Sequence, residues 1–107
     1  MKDTPKLLQD MLDAIEAIEN YSLATYSQFL ADEKTQDAIM FNLIVLGEAA
    51  NKIPQTYQEG HPEIPWSSII GTRNVIVHGY DQVKLRIVWD IVQKNLSDLK
   101  KSLKKLV

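Results

Sequence analysis

Ala38-Ile39-Met40-Phe41-Asn42-Leu43-Ile44-Val45-Leu46-Gly47-Glu48-Ala49-Ala50-Asn51-Lys52-Ile53 is the stretch whose reading decides the fold. It runs on to Pro54 without a cluster of turn residues, too long for a strand, and its apolar side chains cover much of a helix circumference. A helix from near Asp32 to Ile53, stopped by Pro54, follows. Such a helix belongs in the middle of a bundle or at a subunit interface. Gly47, Ala49 and Ala50 would let another backbone approach closely; a helical glycine costs about 1 kcal/mol relative to alanine, so packing must compensate.

The flanking segments supply its neighbours. Thr4 followed by Pro5 reads as an N-cap and first-turn proline, and Leu7, Leu8, Met11, Leu12, Ile15 and Ile18 then form one stripe of an amphipathic helix to about Asn20. Thr25-Tyr26-Ser27-Gln28 has the form of a capping box, starting a short turn that packs Phe29 and Leu30. Pro54 to Pro65 reads as the only long irregular stretch. A third helix carries Trp66, Ile69, Ile70, Val75, Ile76 and Val77 and ends near His78, with Gly79 as a left-handed cap. Leu85, Trp89, Val92, Leu96, Leu99, Leu103 and Leu106 alternate steps of four and three, the seam of a last helix. Val75-Ile76-Val77 is the one strand candidate, and it has no partner segment. The expected fold is all-α, an up-and-down bundle of four or five helices, in a single domain over residues 1–107.

The chain has 107 residues and no cysteine, so disulfides, thiolate nucleophiles and Cys-ligated metal are excluded and a reducing compartment is expected. No run is long enough to span a membrane, and Met1-Lys2-Asp3-Thr4-Pro5 has no signal-peptide character, so the expected location is cytoplasmic with no membrane partner. A domain of this size buries a modest core, and leftover apolar surface at Phe41, Val45 and Gly47–Ala50 invites a second copy, giving an expected homodimer whose interface uses the apolar second helix and part of the third. The net charge of −2 hides an asymmetry: residues 1–50 carry 3 Lys against 9 acids, while residues 51–107 carry 9 Lys and Arg against 5. RNA would therefore meet only a local basic patch. The lysines at 94, 100, 101, 104 and 105 read as a solvated helix face.

Two histidines limit the chemistry, because a zinc site generally needs three or four ligands at recognisable spacing; no metal and no cofactor are expected. What remains is Arg73 and His78, with Asn74 and Tyr80 beside them. Cleavage of RNA by its own 2′-hydroxyl needs a base, an acid and positive charge beside phosphorus. An imidazole, ordinarily titrating near 6.5, suits either proton role, and a guanidinium binds phosphate oxygens through a planar fork. Asn74 could orient the phosphate or His78. Five residues on an ideal helix place the two side chains about 140° apart. Either the helix loosens at its end, or two subunits complete the site across a two-fold axis. On spacing alone the pair reads more readily as a helix-end dipole partner and a surface charge. Glu48 would be costly if buried unpaired; it is either solvated or paired, with Arg73 the natural partner. Trp66 reads as core rather than a base-stacking platform, and His61 as solvated.

Arg73-Asn74-Val75-Ile76-Val77-His78-Gly79-Tyr80 resembles the Arg-x-x-x-x-His-x-Tyr signature of HepT-like HEPN proteins. Phe29-Leu30-Ala31-Asp32, Asp37-Ala38, Leu46-Gly47-Glu48-Ala49-Ala50, Pro62-Glu63-Ile64-Pro65-Trp66 and Val88-Trp89 fall where that family has similar residues. The resemblance implies a dimeric HEPN bundle whose two Arg-His motifs line one cleft, and a metal-independent ribonuclease leaving a 2′,3′-cyclic phosphate. It further implies the toxin of a type VII toxin–antitoxin pair, partnered by a minimal nucleotidyltransferase. On that pattern Arg73 and His78 are catalytic, Asn74 is the polar residue after the arginine, and Tyr80 is the tyrosine that receives AMP. Ser97 stands where many relatives would have a proline, which bears on helix bending. An alternative is a non-catalytic helical partner of a nucleotidyltransferase.

Overall fold

Helix α1 (Thr4–Asn20) begins one residue earlier than the Thr4-Pro5 pair suggests. Asp3 is the N-cap: its backbone is extended and its carboxylate accepts the Lys6 N–H at 3.4 Å, leaving Thr4 and Pro5 in the first turn. A carboxylate caps as well as a hydroxyl, and the proline still sits where its missing N–H is harmless. The structure, a computed structural model, describes residues 3–21 and 25–107; Met1 and Lys2 of the amino-terminal stretch lie outside them. Every Leu, Ile and Met of α1 is buried.

Thr25 caps the short helix α2 (Tyr26–Leu30) through the expected capping box, its hydroxyl accepting the Gln28 N–H at 3.1 Å. Phe29 is buried, whereas Leu30, expected beside it, is exposed, because a five-residue helix turns only one narrow face to the core. Asp32 then caps the long helix α3 (Glu33–Lys52) by accepting the Thr35 N–H at 3.0 Å. The stretch from Pro54 to Pro65 is not wholly irregular. It contains helix α4 (Gln55–Gly60), entered from the Pro54 carbonyl, and the Gln58 amide donates to Ala50 O at 3.2 Å and Ile53 O at 3.0 Å. That side chain adds a second donor to the Ala50 carbonyl, which already accepts the Ile53 N–H, and reaches the Ile53 carbonyl just past the end of α3.

Helix α5 (Trp66–His78) follows, then a single 3₁₀ turn at Tyr80–Gln82. Gly79 does not adopt the expected left-handed conformation: its φ is −149° and its N–H closes onto Val75 O at 2.9 Å, so the helix stops by straightening its chain. The last helix starts as α6 (Leu85–Asp90), passes through a π-type turn at Ile91–Asn95 and continues as α7 (Leu96–Lys104).

α3 lies in the middle, with α1 and α5 packed along it; α7 closes over α1, and α6 over α2. Leu8, Met11, Ile15, Ile39, Leu43, Leu46, Ala50, Ile76, Val88 and Leu103 form one continuous core. Burying each of the large aliphatic members contributes about 1.5–3 kcal/mol. The rings of Tyr26 and Phe29 meet Trp89 at 5.8 and 5.6 Å between centroids, fixing α2 against α6. No strand forms among the described residues, and none of their helices is long and apolar enough to cross a membrane. This is the expected all-α bundle of four long helical runs with two short ones.

The small-residue patch is used inside the chain. Gly47, Ala49 and Ala50 are buried, whereas Phe41 is 62% exposed and Val45 half-buried. Of the α3 surface expected to meet a second copy, then, Phe41 and part of Val45 remain open, because α1 and α5 take the rest.

Candidate functional site

Arg73 lies near the middle of α5, on the side that meets α3, and the contact is unusually close. A Cβ added to Gly47 would collide with Arg73 Cβ and lie 2.8 Å from Arg73 Cγ and 3.2 Å from Ile69 O. The glycine therefore makes room for the stem of the arginine. One residue further along α3, the Glu48 carboxylate forms an ion pair with Arg73 Nη2, while Nη1 donates to Asn74 Oδ1 at 2.8 Å. Arg73 and Glu48 keep 25% and 37% of their side-chain surface exposed, so the pair stands at a mouth and not in the core. Nε of Arg73 is buried and has no hydrogen-bond partner among the described residues. The guanidinium's reach towards a ligand is thus confined to its η nitrogens.

His78, the last residue of α5, is exposed. The helix keeps α geometry up to it, so of the two alternatives open to the sequence the loosened helix end does not occur; the hydrogen bond from Gly79 N–H to Val75 O closes the final turn. On such a helix the two side chains leave the axis about 140° apart. The structure brings Arg73, Asn74 and Glu48 together, and His78 stands exposed five residues on, at the end of the same helix. Val75 and Val77, on either side of the buried Ile76, are 62% and 43% exposed.

Tyr80 begins the 3₁₀ turn, 45% exposed, and its hydroxyl donates to the Asp37 carboxylate on α3. That bond, with partial burial and the negative charges of Asp37 and Glu33, pushes the phenol pKa up to about 12. An anion beside carboxylates is disfavoured, so the hydroxyl stays protonated. Asp37 is the residue that sequence reasoning missed in this role: it lies 43 positions from Tyr80, and only the packing of α3 against the end of α5 brings them together.

The remaining candidates are structural. Trp66 is 7% exposed and its indole N–H donates to His61 O at 3.0 Å, as core residues of this type do. His61 is more engaged than a solvated histidine: its ring lies 4.4 Å from that of Tyr57 and its Nδ1 is 3.3 Å from Glu63 Oε2. Lys100 pairs with Glu19 at 2.8 Å, and Lys101, Lys104 and Lys105 are exposed on the solvent face of α7.

A family model described as ribonuclease HepT-like matches residues 11–106. The chain is 37% identical over 100 residues to a protein of Thermococcus cleftensis named "Probable ribonuclease HepT", covering 92% of this chain and 91% of that one. It is 34% identical to a candidate RNase of Methanocaldococcus jannaschii, over 85% of this chain and 76% of the relative. A candidate RNase of Caldanaerobacter subterraneus subsp. tengcongensis is 30% identical over the whole chain and 96% of its own length. No solved structure matches. With the match spanning all but the first turns of α1, the chain belongs to the HepT-like ribonuclease family.

Proposed function

We propose that this chain is a metal-independent ribonuclease that acts as a homodimer, with Arg73, His78 and Asn74 of both copies lining one cleft. The observation that carries the reading is the division of labour at the end of α5: an arginine anchored by Glu48 and Asn74, and an exposed histidine five positions on, along a helix that stays regular between them. One copy presents these groups on different sides, so a two-fold pairing of helix ends supplies the complement. Family membership supports RNA as the substrate.

In this reading one His78 imidazole removes the 2′-hydroxyl proton, and the freed oxygen attacks the adjacent phosphorus. The imidazole of the second copy protonates the departing 5′-oxygen, leaving a 2′,3′-cyclic phosphate. Arg73 holds the charge that builds on the non-bridging oxygens. Glu48 and Asn74 fix the guanidinium, so the flexible arginine loses less freedom on meeting phosphate. The protein is further read as the toxin of a type VII pair, silenced when a minimal nucleotidyltransferase antitoxin places AMP on Tyr80. The added phosphodiester puts bulk and negative charge near the Arg73–His78 helix end, where it competes with RNA phosphates.

The test is cleavage of RNA by the purified protein in excess chelator, with the products analysed for cyclic phosphate. Arg73→Ala and His78→Ala should each lower the rate by about 10²–10⁴-fold. Full activity in either variant removes that residue from the chemistry, and an absolute need for added divalent metal overturns the mechanism. Light scattering should give twice the 12.2 kDa chain mass.

A further inference from the structure

We infer that Asp37 is the general base for adenylylation of Tyr80, so that this chain carries within itself the proton acceptor for its own modification. The inference rests on the reading that Tyr80 receives AMP, and it adds the group that makes the phenol a nucleophile.

A phenol attacks a phosphorus centre well only as its proton leaves, and the Tyr80 hydroxyl is held protonated to about pH 12. Waiting for spontaneous ionisation near neutral pH would leave almost none of it reactive. The Tyr80 hydroxyl, however, already donates its proton to the Asp37 carboxylate. The same contact that disfavours a free phenolate gives the proton somewhere to go as the new bond forms. Protein kinases hold the substrate hydroxyl in this relation to a carboxylate that belongs to the enzyme. Here the carboxylate belongs to the substrate. It comes from α3, while Tyr80 comes from the turn after α5, and the tyrosine is 45% exposed, so an incoming nucleotide can reach the oxygen.

Tyr80 Oη forms a bond to the α-phosphorus of a nucleoside triphosphate held by the transferase. The bond from that phosphorus to the bridging oxygen of the β-phosphate breaks, and pyrophosphate leaves with the electron pair. The phenolic proton passes to Asp37 and then to solvent. The product is a tyrosyl phosphodiester bearing one negative charge. Its oxygen no longer donates to Asp37, and it stands near Glu33 as well as Asp37, the two carboxylates of α3 that face the phenol. The modified turn is thus pushed from α3 by like charge, which disfavours return to the unmodified geometry.

The experiment is a transfer assay with the full chain, its nucleotidyltransferase partner and ATP, followed by intact-mass and peptide mapping. Asp37→Asn should lower the maximal rate of transfer to Tyr80 by about 10²–10⁴-fold with little change in KM. Alkaline ultraviolet titration, read as the difference from Tyr80→Phe, should show the Tyr80 midpoint falling from about 12 towards the ordinary 10. Asp37→Glu keeps the acceptor and should recover part of the rate, and RNA cleavage by unmodified Asp37→Asn should match the parent, which also reports its folding. Transfer to Asp37→Asn at the parental rate overturns the inference alone. A loss confined to KM also overturns it, by making Asp37 a docking residue. Parent protein with no adduct at Tyr80 overturns the adenylylation reading and this inference with it.

Discussion

Helices α1 and α5 both flank α3, yet they treat their apolar residues in opposite ways. In α1 the stripe from Leu7 to Ile18 is wholly buried, and the polar residues Gln9, Asp13, Glu16 and Glu19 face solvent. In α5 only Trp66, Ile69 and Ile76 are buried; Val75 and Val77 are exposed, while a charged residue, Arg73, turns its stem against α3. A helix whose only task is to cover a core follows periodicity. One that breaks it, showing valines and tucking in an arginine, spends part of its surface on something other than the stability of the lone chain.

Three substitutions would break or sharpen this contrast. Ile15→Ala in α1 should destabilise the fold by about 2–5 kcal/mol, because the deleted atoms lie in a fully buried position that α3 cannot refill. Chemical denaturation reads it, and a loss below about 1 kcal/mol would mean that the stripe of α1 is not closely packed against α3. Gly47→Ala should cost about 1–3 kcal/mol through overpacking, although glycine to alanine in a helix ordinarily gains about 1 kcal/mol. A stabilised Gly47→Ala protein would show that Arg73 does not approach α3 so closely. The smallest effect on stability belongs to His78→Ala, within about 0.5 kcal/mol of the parent, since the residue is exposed at the helix end. Paired with a collapse of RNA cleavage, that silence in the melting curve would separate the working end of α5 from its structural half.

How far the sequence speaks follows the same division. The periodic stripe of α1, the capping box at Thr25 and Gln28, and the core place of Trp66 were legible because each rests on local spacing. The pairing of Glu48 with Arg73 was legible as one of two options, since a carboxylate among small apolar residues asks for a cation. The Asp37–Tyr80 bond was not, because it depends on where two helices end relative to each other. Nor was the π-type turn at Ile91–Asn95: steps of four and three in Leu85, Trp89, Val92 and Leu96 look the same whether or not one turn widens. Residues 55–60 carry no apolar stripe, so α4 left no periodic trace, and it forms through Pro54 and the bonds of Gln58.

The Gly47–Arg73 contact also sets how this protein can change. Because the arginine's own stem fills the space beside the glycine, the two positions behave as one heritable unit: 47 can grow only if 73 shrinks. A double-mutant cycle should find Gly47→Ala still costly with alanine at 73, whose Cβ stays in the way, and much cheaper once Arg73 is glycine, a non-additivity of about 0.5–3 kcal/mol. A lineage whose position 73 falls to glycine thereby releases position 47 to drift, and any side chain that settles there bars the way back. Loss of the arginine would act as a ratchet, written into the packing of two helices.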